Sequence, residues 1–143
     1  MPTLNAAMSA SASALNAERT RLEASVSNLA NAESTRGPDG KPYRRRDVVL
    51  ATDTVGTFDA ALGRASGATG VKVAAVVEDQ SPFRRRYEPS HPDADADGFV
   101  AMPNVDAAEE MVDMLSAARA YQANLTAIGL IRDVVSRSLD LGK

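Results

Sequence analysis

The larger apolar side chains near the start of the chain recur at Met8, Leu15, Leu22 and Leu29, one every seven residues. Asn5, Ala12, Arg19 and Val26 occupy the intervening row. This is half of a heptad pattern, one row strong and the other small or polar, over residues 3–35, which contain neither glycine nor proline. It predicts a helix that Gly37-Pro38-Asp39-Gly40 stops. Ser9, Ser11, Ser13, Ser25 and Ser27 lower its intrinsic preference, so it should be marginal alone and ordered when packed.

A second periodic run extends from about Asp106 to Leu141, broken by Gly129. Asp106 followed by Glu109 reads as a capping box, and Glu109, Glu110 and Asp113 suit the positive end of a helix dipole. Its seam runs Met111, Met114, Ala118, Tyr121, Leu125, Ile128, Arg132, Val135 and Leu139 in steps of three and four. Leu115, Leu130, Ile131, Val134 and Leu141 fall outside that seam. One partner helix cannot cover so wide an apolar surface, and the surplus predicts contacts with other chains. About 32 residues span ~48 Å and about 36 span ~54 Å, so the two ends match in length and predict a paired coiled coil.

Residues 36–105 hold six of the seven prolines and read as irregular and β-rich. VKVAAVVED (71–79) and YRRRDVVLA (43–51) are expected strands, with FRRRYE (83–88) and GFVAM (98–102) as shorter ones. Gly63 to Gly70 reads as a mobile loop. The expected fold is mainly α with a small β-rich middle. The N-terminal helix takes residues 1–35, a short-stranded β domain forming one small sheet takes 36–105, and the C-terminal helix takes 106–143.

Composition sharpens this picture. The 143 residues include 26 alanines, no tryptophan and only 4% aromatics, so a large core is poorly supplied and closely packed helices are favoured. There is no cysteine, which excludes disulfides, thiolate metal sites and a cysteine nucleophile. The net charge of −3 provides no global field for nucleic acid. No segment approaches the ~20 apolar residues that span a bilayer, and the N-terminus lacks the form of a signal peptide. Taken alone, that argues for the cytoplasm.

Two basic triplets, Arg44-Arg45-Arg46 and Arg84-Arg85-Arg86, each follow a proline and an aromatic. Such interleaving could serve phosphate contact and base stacking. Residues 78–97, however, hold three basic against six acidic residues, which suits intersubunit polar contacts or a solvated edge better than nucleic acid. Asp93-x-Asp95-x-Asp97-Gly98 copies the opening of a calcium loop, but Asn104 stands where a bidentate glutamate should close it. An aspartate-rich turn is the better reading. His91, the only histidine, lies between Ser90 and Pro92 with no catalytic partner nearby in sequence, and reads as a turn residue. No residue is assigned a catalytic, metal-binding or cofactor role.

SASALNAERTRLEASVSNLANAEST and EEMVDMLSAARAYQANLTA resemble the axial proteins of the bacterial flagellum, a family of rod, hook and hook-associated proteins. SPFRRRYEPSHPDADADGFVAMPNVD and the closing SLDLGK resemble its proximal rod members, and the short length leaves no room for hook-type outer domains. Asn28-Leu29-Ala30-Asn31-Ala32 carries the family's N-terminal signature, whereas Glu33-Ser34-Thr35 departs from it. The resemblance implies a structural subunit of the periplasmic rod, exported without a cleaved signal peptide and assembled helically around a channel to transmit torque. It implies as partners the chain itself, a proximal rod protein of the FlgB type and distal rod subunits. A junction protein of the FliE type and the type III export apparatus complete that set. Met8, Leu15, Leu22, Val26, Asn28, Leu29, Asn31 and the second-helix residues Met111, Met114, Leu115, Ala118, Tyr121, Leu125, Ile128, Val135 and Leu139 are the expected coiled-coil and assembly positions. Another short rod subunit of the family is the nearest alternative. A soluble coiled-coil regulator binding nucleic acid through the arginine triplets is the alternative of a different class.

Overall fold

The computed structural model describes residues 2–53 and 70–140. Its elements are α1 (Pro2–Ala30), β1 (Arg46–Asp53), β2 (Gly70–Glu78), β3 (Arg84–Tyr87), β4 (Phe99–Met102) and α2 (Ala107–Asp140). The two helices pack along each other with the C-terminal end of α1 beside the N-terminal end of α2, where Asn28 meets Glu110. They therefore run antiparallel. At 29 and 34 residues they are about 43 and 51 Å long.

Each helix end has a local cause. Asp106 caps α2, its Oδ1 accepting from the backbone N–H of Ala108 (2.8 Å) and Glu109 (3.3 Å). At the end of α1 the backbone N–H of Asn31 is shared between the carbonyls of Ser27 and Asn28, and the Asn31 side chain donates to Ser27 O (2.9 Å). That tightening ends the helix at Ala30, before the glycine–proline stop. The backbone N–H of Tyr43 then donates to Ser34 O, closing the 34–43 loop.

The expected single sheet is instead two separate two-stranded antiparallel sheets, β1–β2 and β3–β4. Expected strand 43–51 begins three residues later, at Arg46, and runs to Asp53, while the Arg45 backbone N–H turns to Asn104 Oδ1. β1–β2 runs from Arg46 opposite Glu78 to Asp53 opposite Gly70, with a bulge where Val49 pairs Ala75 and Leu50 pairs Val73. Of the expected loop at 63–70, only Gly70 lies within the described residues, and it opens β2.

α1 lies along the β1–β2 hairpin. Asn28 bonds Arg46 at one end, and Ser13 Oγ accepts from the Val71 backbone N–H (3.0 Å) at the other. Fifteen helical residues rise ~22 Å and six strand residues ~20 Å, so the two contacts stay in step. A Cβ at Gly70 would sit 3.0 Å from Ser13 Oγ, so glycine permits this close approach.

Covered apolar residues among those described are few: Ala17, Ala32, Val100, Met102, Pro103, Val105 and Ala117. Three are alanines. Val100 and Met102 of β4 are covered, as are Pro103 and Val105 after it, and Arg84 of β3 donates to Pro103 O. Tyr87 and Phe99 meet edge to face at 5.3 Å, and Arg85 lies over the Phe99 ring. Gly98, at φ 81°, turns the chain beneath them, where a Cβ would stand 2.9 Å from the Tyr87 ring.

Gly98→Ala should therefore cost at least ~1 kcal/mol, from backbone strain and displacement of Tyr87 together. Chemical denaturation of the purified chain reads this, and an unchanged midpoint would contradict the tight turn. The same turn should be acid-sensitive. The Phe99 backbone N–H on Asp95 Oδ1 (2.8 Å), aided by Arg85, holds the Asp95 carboxyl below its ordinary pKa despite some burial. Its stabilisation is complete above the ordinary aspartate range and is lost as pH falls through the lower folded value. The Phe99 amide resonance should report that transition, and Asp95→Asn should abolish it.

Candidate functional site

Three chain segments converge on a covered polar junction. Glu110, 1% exposed in the first turn of α2, receives the Arg45 Nε–H at 2.6 Å and the Asn28 amide at 3.1 Å. Asn28, also 1% exposed, donates to Arg46 O and accepts from the Arg46 backbone N–H, each at 2.8 Å. The asparagine thus satisfies the edge of β1 as a neighbouring strand would. Tyr43 donates its hydroxyl to Asn28 Oδ1 (2.9 Å), and that hydroxyl also lies 3.2 Å from Ser27 Oγ.

Arg45 is held through its guanidinium and through both of its backbone polar groups. Its guanidinium reaches Asp113 (3.3 Å) as well as Glu110, its backbone N–H donates to Asn104 Oδ1, and its carbonyl accepts from the Asp79 N–H. Burial by itself disfavours the charged guanidinium. The hydrogen bond and charge of Glu110, with Asp47 and Glu109, outweigh that and hold the Arg45 pKa above its ordinary value. Asn104 continues the network to Asp79 O (3.1 Å) and Ser81 Oγ (2.8 Å). The backbone N–H and the side chain of Ser81, in turn, hold the Asp79 carboxyl below the usual carboxylate range. Among the described residues no buried side-chain polar atom lacks a partner.

The expected helix-seam residues fall in different environments. On α2 the row Met114, Tyr121, Ile128 and Val135 is half-buried, in the expected register. The companion row is Glu110, Ala117, Asn124 and Ile131, one residue earlier than the expected Met111, Ala118, Leu125 and Arg132. Two requirements set this row: Glu110 must reach Arg45 and Asn28, and fully covered Ala117 permits close approach. Met111 (48%), Leu115 (54%), Leu125 (54%) and Leu139 (62%) are exposed, as is Ala118, so they form no intrachain seam. On α1, Met8, Leu15, Leu22 and Leu29 are half-buried and Val26 is exposed. The covered positions there are Ala17, Ser25 and Asn28, with Ala32 just past the helix end. Asn31 serves the helix end.

The arginine triplets divide in the same way. Arg45 is largely covered, its side chain 17% exposed and paired with Glu110 and Asp113. Arg44 donates to the carbonyls of Asp79 (2.9 Å) and Ser81 (3.2 Å) and lies 4.4 Å over Phe83. Arg46 projects beside Tyr43. Arg84 donates to Pro103 O, Arg85 pairs with Asp95 (2.7 Å), and Arg86 reaches Glu88 and Glu33. The aspartates of the calcium-like segment are turn-forming: Asp93 binds Arg36 and Thr35, and Asp95 accepts from Asp97 and Phe99. His91 Nδ1 accepts the Asp93 N–H within that turn. The Glu110–Arg45 link was missed by sequence reasoning. Its only signal was a glutamate on the same helical face as Met114, Ala117 and Tyr121.

The family model described as flagellar basal body rod FlgEFG protein C-terminal matches residues 96–141. The chain is 49% identical to the flagellar basal-body rod protein FlgC of Salmonella typhimurium strain LT2, over 92% of each chain. It is 40% identical to FlgC of Bacillus subtilis strain 168, over 95% of this chain and 96% of that one. Against FlgC of Borreliella burgdorferi the identity is 37%, with 87% and 88% covered.

Removing one member of the junction leaves the others covered and unmatched. Glu110→Ala should lose about 3–5 kcal/mol of stability, and Asn28→Ala about 1–3 kcal/mol. Urea denaturation followed by circular dichroism measures both. A Glu110→Ala chain as stable as the parent would refute the junction's structural role.

Proposed function

This chain belongs to the FlgC family of flagellar basal-body rod proteins, and we propose that the helix faces it leaves uncovered are what build it into the rod. It is a structural, non-catalytic subunit of the flagellar basal body, assembling with other axial proteins. The observation that carries the assembly reading is the large exposed apolar surface of α2. Met111, Leu115, Leu125, Leu130, Val134 and Leu139 are each about half exposed or more, on a helix already packed against α1. Single exposed leucines are ordinary, but six large apolar side chains left exposed on one packed helix support further helices packing on it.

The proposed assembly interface comprises Met111, Leu115, Ala118, Leu125 and Leu139 of α2 with Val26 of α1. Met8, Leu15, Leu22, Leu29, Met114, Tyr121, Ile128 and Val135 are half-buried and serve the helix pair and its margins. The segments 1–35, 36–105 and 106–143 act as inner helix, outer β-rich part and inner helix. A heterologous interface that does not close extends the assembly helically around a channel. Torque then passes through many helix contacts, and no side chain is chemically special. The proposed neighbours are further copies, FlgB-type and distal rod proteins and a FliE-type junction protein, with delivery to the periplasm by the flagellar export apparatus. The sparse core supports such delivery: few covered apolar residues have to be separated when the chain is unfolded.

Leu125→Asp separates folding from assembly. The residue is exposed in the single chain, so its stability should change by less than about 0.5 kcal/mol. Motility should nevertheless be lost, because a carboxylate would be sequestered without a partner in the assembled helix layer. Soft-agar swimming and urea denaturation are the two readouts. Leu22→Asp, at a half-buried position, should impair both. Normal swimming with Leu125→Asp would remove this surface from the interface.

A further inference from the structure

The segment Asp79–Phe83 separates two clefts of opposite charge. On the Phe83 side, about 600 Å³ is lined by Arg36, Lys41, Arg44 and Arg46, against Asp39 and Glu78. On the other side, about 270 Å³ is lined by Asp79, Asp106 and Glu109, with Arg84 and with Arg45, which is already paired internally. Among the described residues Lys41, Arg46 and Glu109 are exposed and form no ion pair, although Arg46 stands opposite Glu78 in the sheet register. Aromatic rings back two of the three guanidiniums of the basic cleft, Phe83 at 4.4 Å from Arg44 and Tyr43 at 5.8 Å from Arg46. Such planar, weakly hydrated cations suit a carboxylate.

We propose that the basic cleft of one copy receives the first turn of α2 from a second copy, with Glu109 of the second copy seated between Lys41 and Arg46 of the first. The complementary charges lie on different sides of one ridge, so docking a copy leaves its own basic cleft open to the next. The contact is therefore head to tail and repeats, whereas an interface pairing one patch with itself would stop at a dimer. The reading rests on the chain being a rod subunit, and it names a self-contact distinct from the apolar surface of α2.

The natural absence of cysteine makes the test direct. Two differently tagged full-length chains, one Lys41→Cys and one Glu109→Cys, are co-expressed in cells lacking the parent chain. Basal bodies are then purified and oxidised. A disulfide joining the two variants can form only between copies. The expected result is a covalent dimer carrying both tags, its yield lowered about tenfold when Arg46→Glu is added to the Lys41→Cys chain, the loss of roughly one ion-pair coupling. Basal bodies that contain both variants without this mixed dimer would overturn the contact and leave the rod assignment standing. So would a Lys41→Cys chain captured by a different rod protein. Absence of both variants from motile cells' basal bodies would overturn the rod reading and this contact with it.

Discussion

The burial of Glu110 against Arg45 and Asn28 is the constraint on which the rest of the molecule depends. A carboxylate in that position is costly unless all its partners are present. Its partners come from the end of α1 and the entry to β1, both far in sequence from the start of α2, where Glu110 stands. Satisfying it sets the register of the two helices, the point where β1 begins and the rotation of α2 about its axis. An apolar contact would tolerate sliding by a turn. A hydrogen-bonded ion pair does not, so the junction provides specificity where the hydrophobic core is thin.

That thin core and the surface left around it belong to one design. With three alanines among its covered apolar residues, α1 and α2 come close but shield little of each other. The large side chains of α2 are turned away from the junction and left on the outside. In a monomeric protein this would be a liability. In a subunit that exists to be surrounded by others, stability arrives with the neighbours, and the isolated fold needs only to hold the correct shape until they do.

Charge is distributed by the same logic. Arg45 is internal, Arg44 braces the Asp79–Ser81 segment, and Arg85 and Arg86 tie the β3–β4 hairpin to nearby carboxylates. A run of three arginines in sequence thus becomes three different environments, because side chains alternate along an extended strand and meet different elements on each face. Arg46 and Lys41 alone of the basic cleft keep their charge unpaired at the surface.

Periodicity and turn residues by themselves determined that two long helices flank a β-rich middle, that Asp106 caps the second, and that the apolar surplus exceeds one partner. These are local or composition-level facts, encoded by residues within a few positions of one another. Even one seam row, Met114 to Val135, was legible, because a half-covered apolar row has the same spacing whichever neighbour covers it. Only the tertiary structure decided which companion row faces inward, that four strands form two sheets, and that Arg45 is withdrawn from the surface. The inward row and the withdrawal of Arg45 both depend on Glu110 finding Arg45, 65 residues earlier. Shifting a heptad by one residue changes no local preference. The choice is made by one buried polar contact between distant segments, and helical spacing carries no record of it.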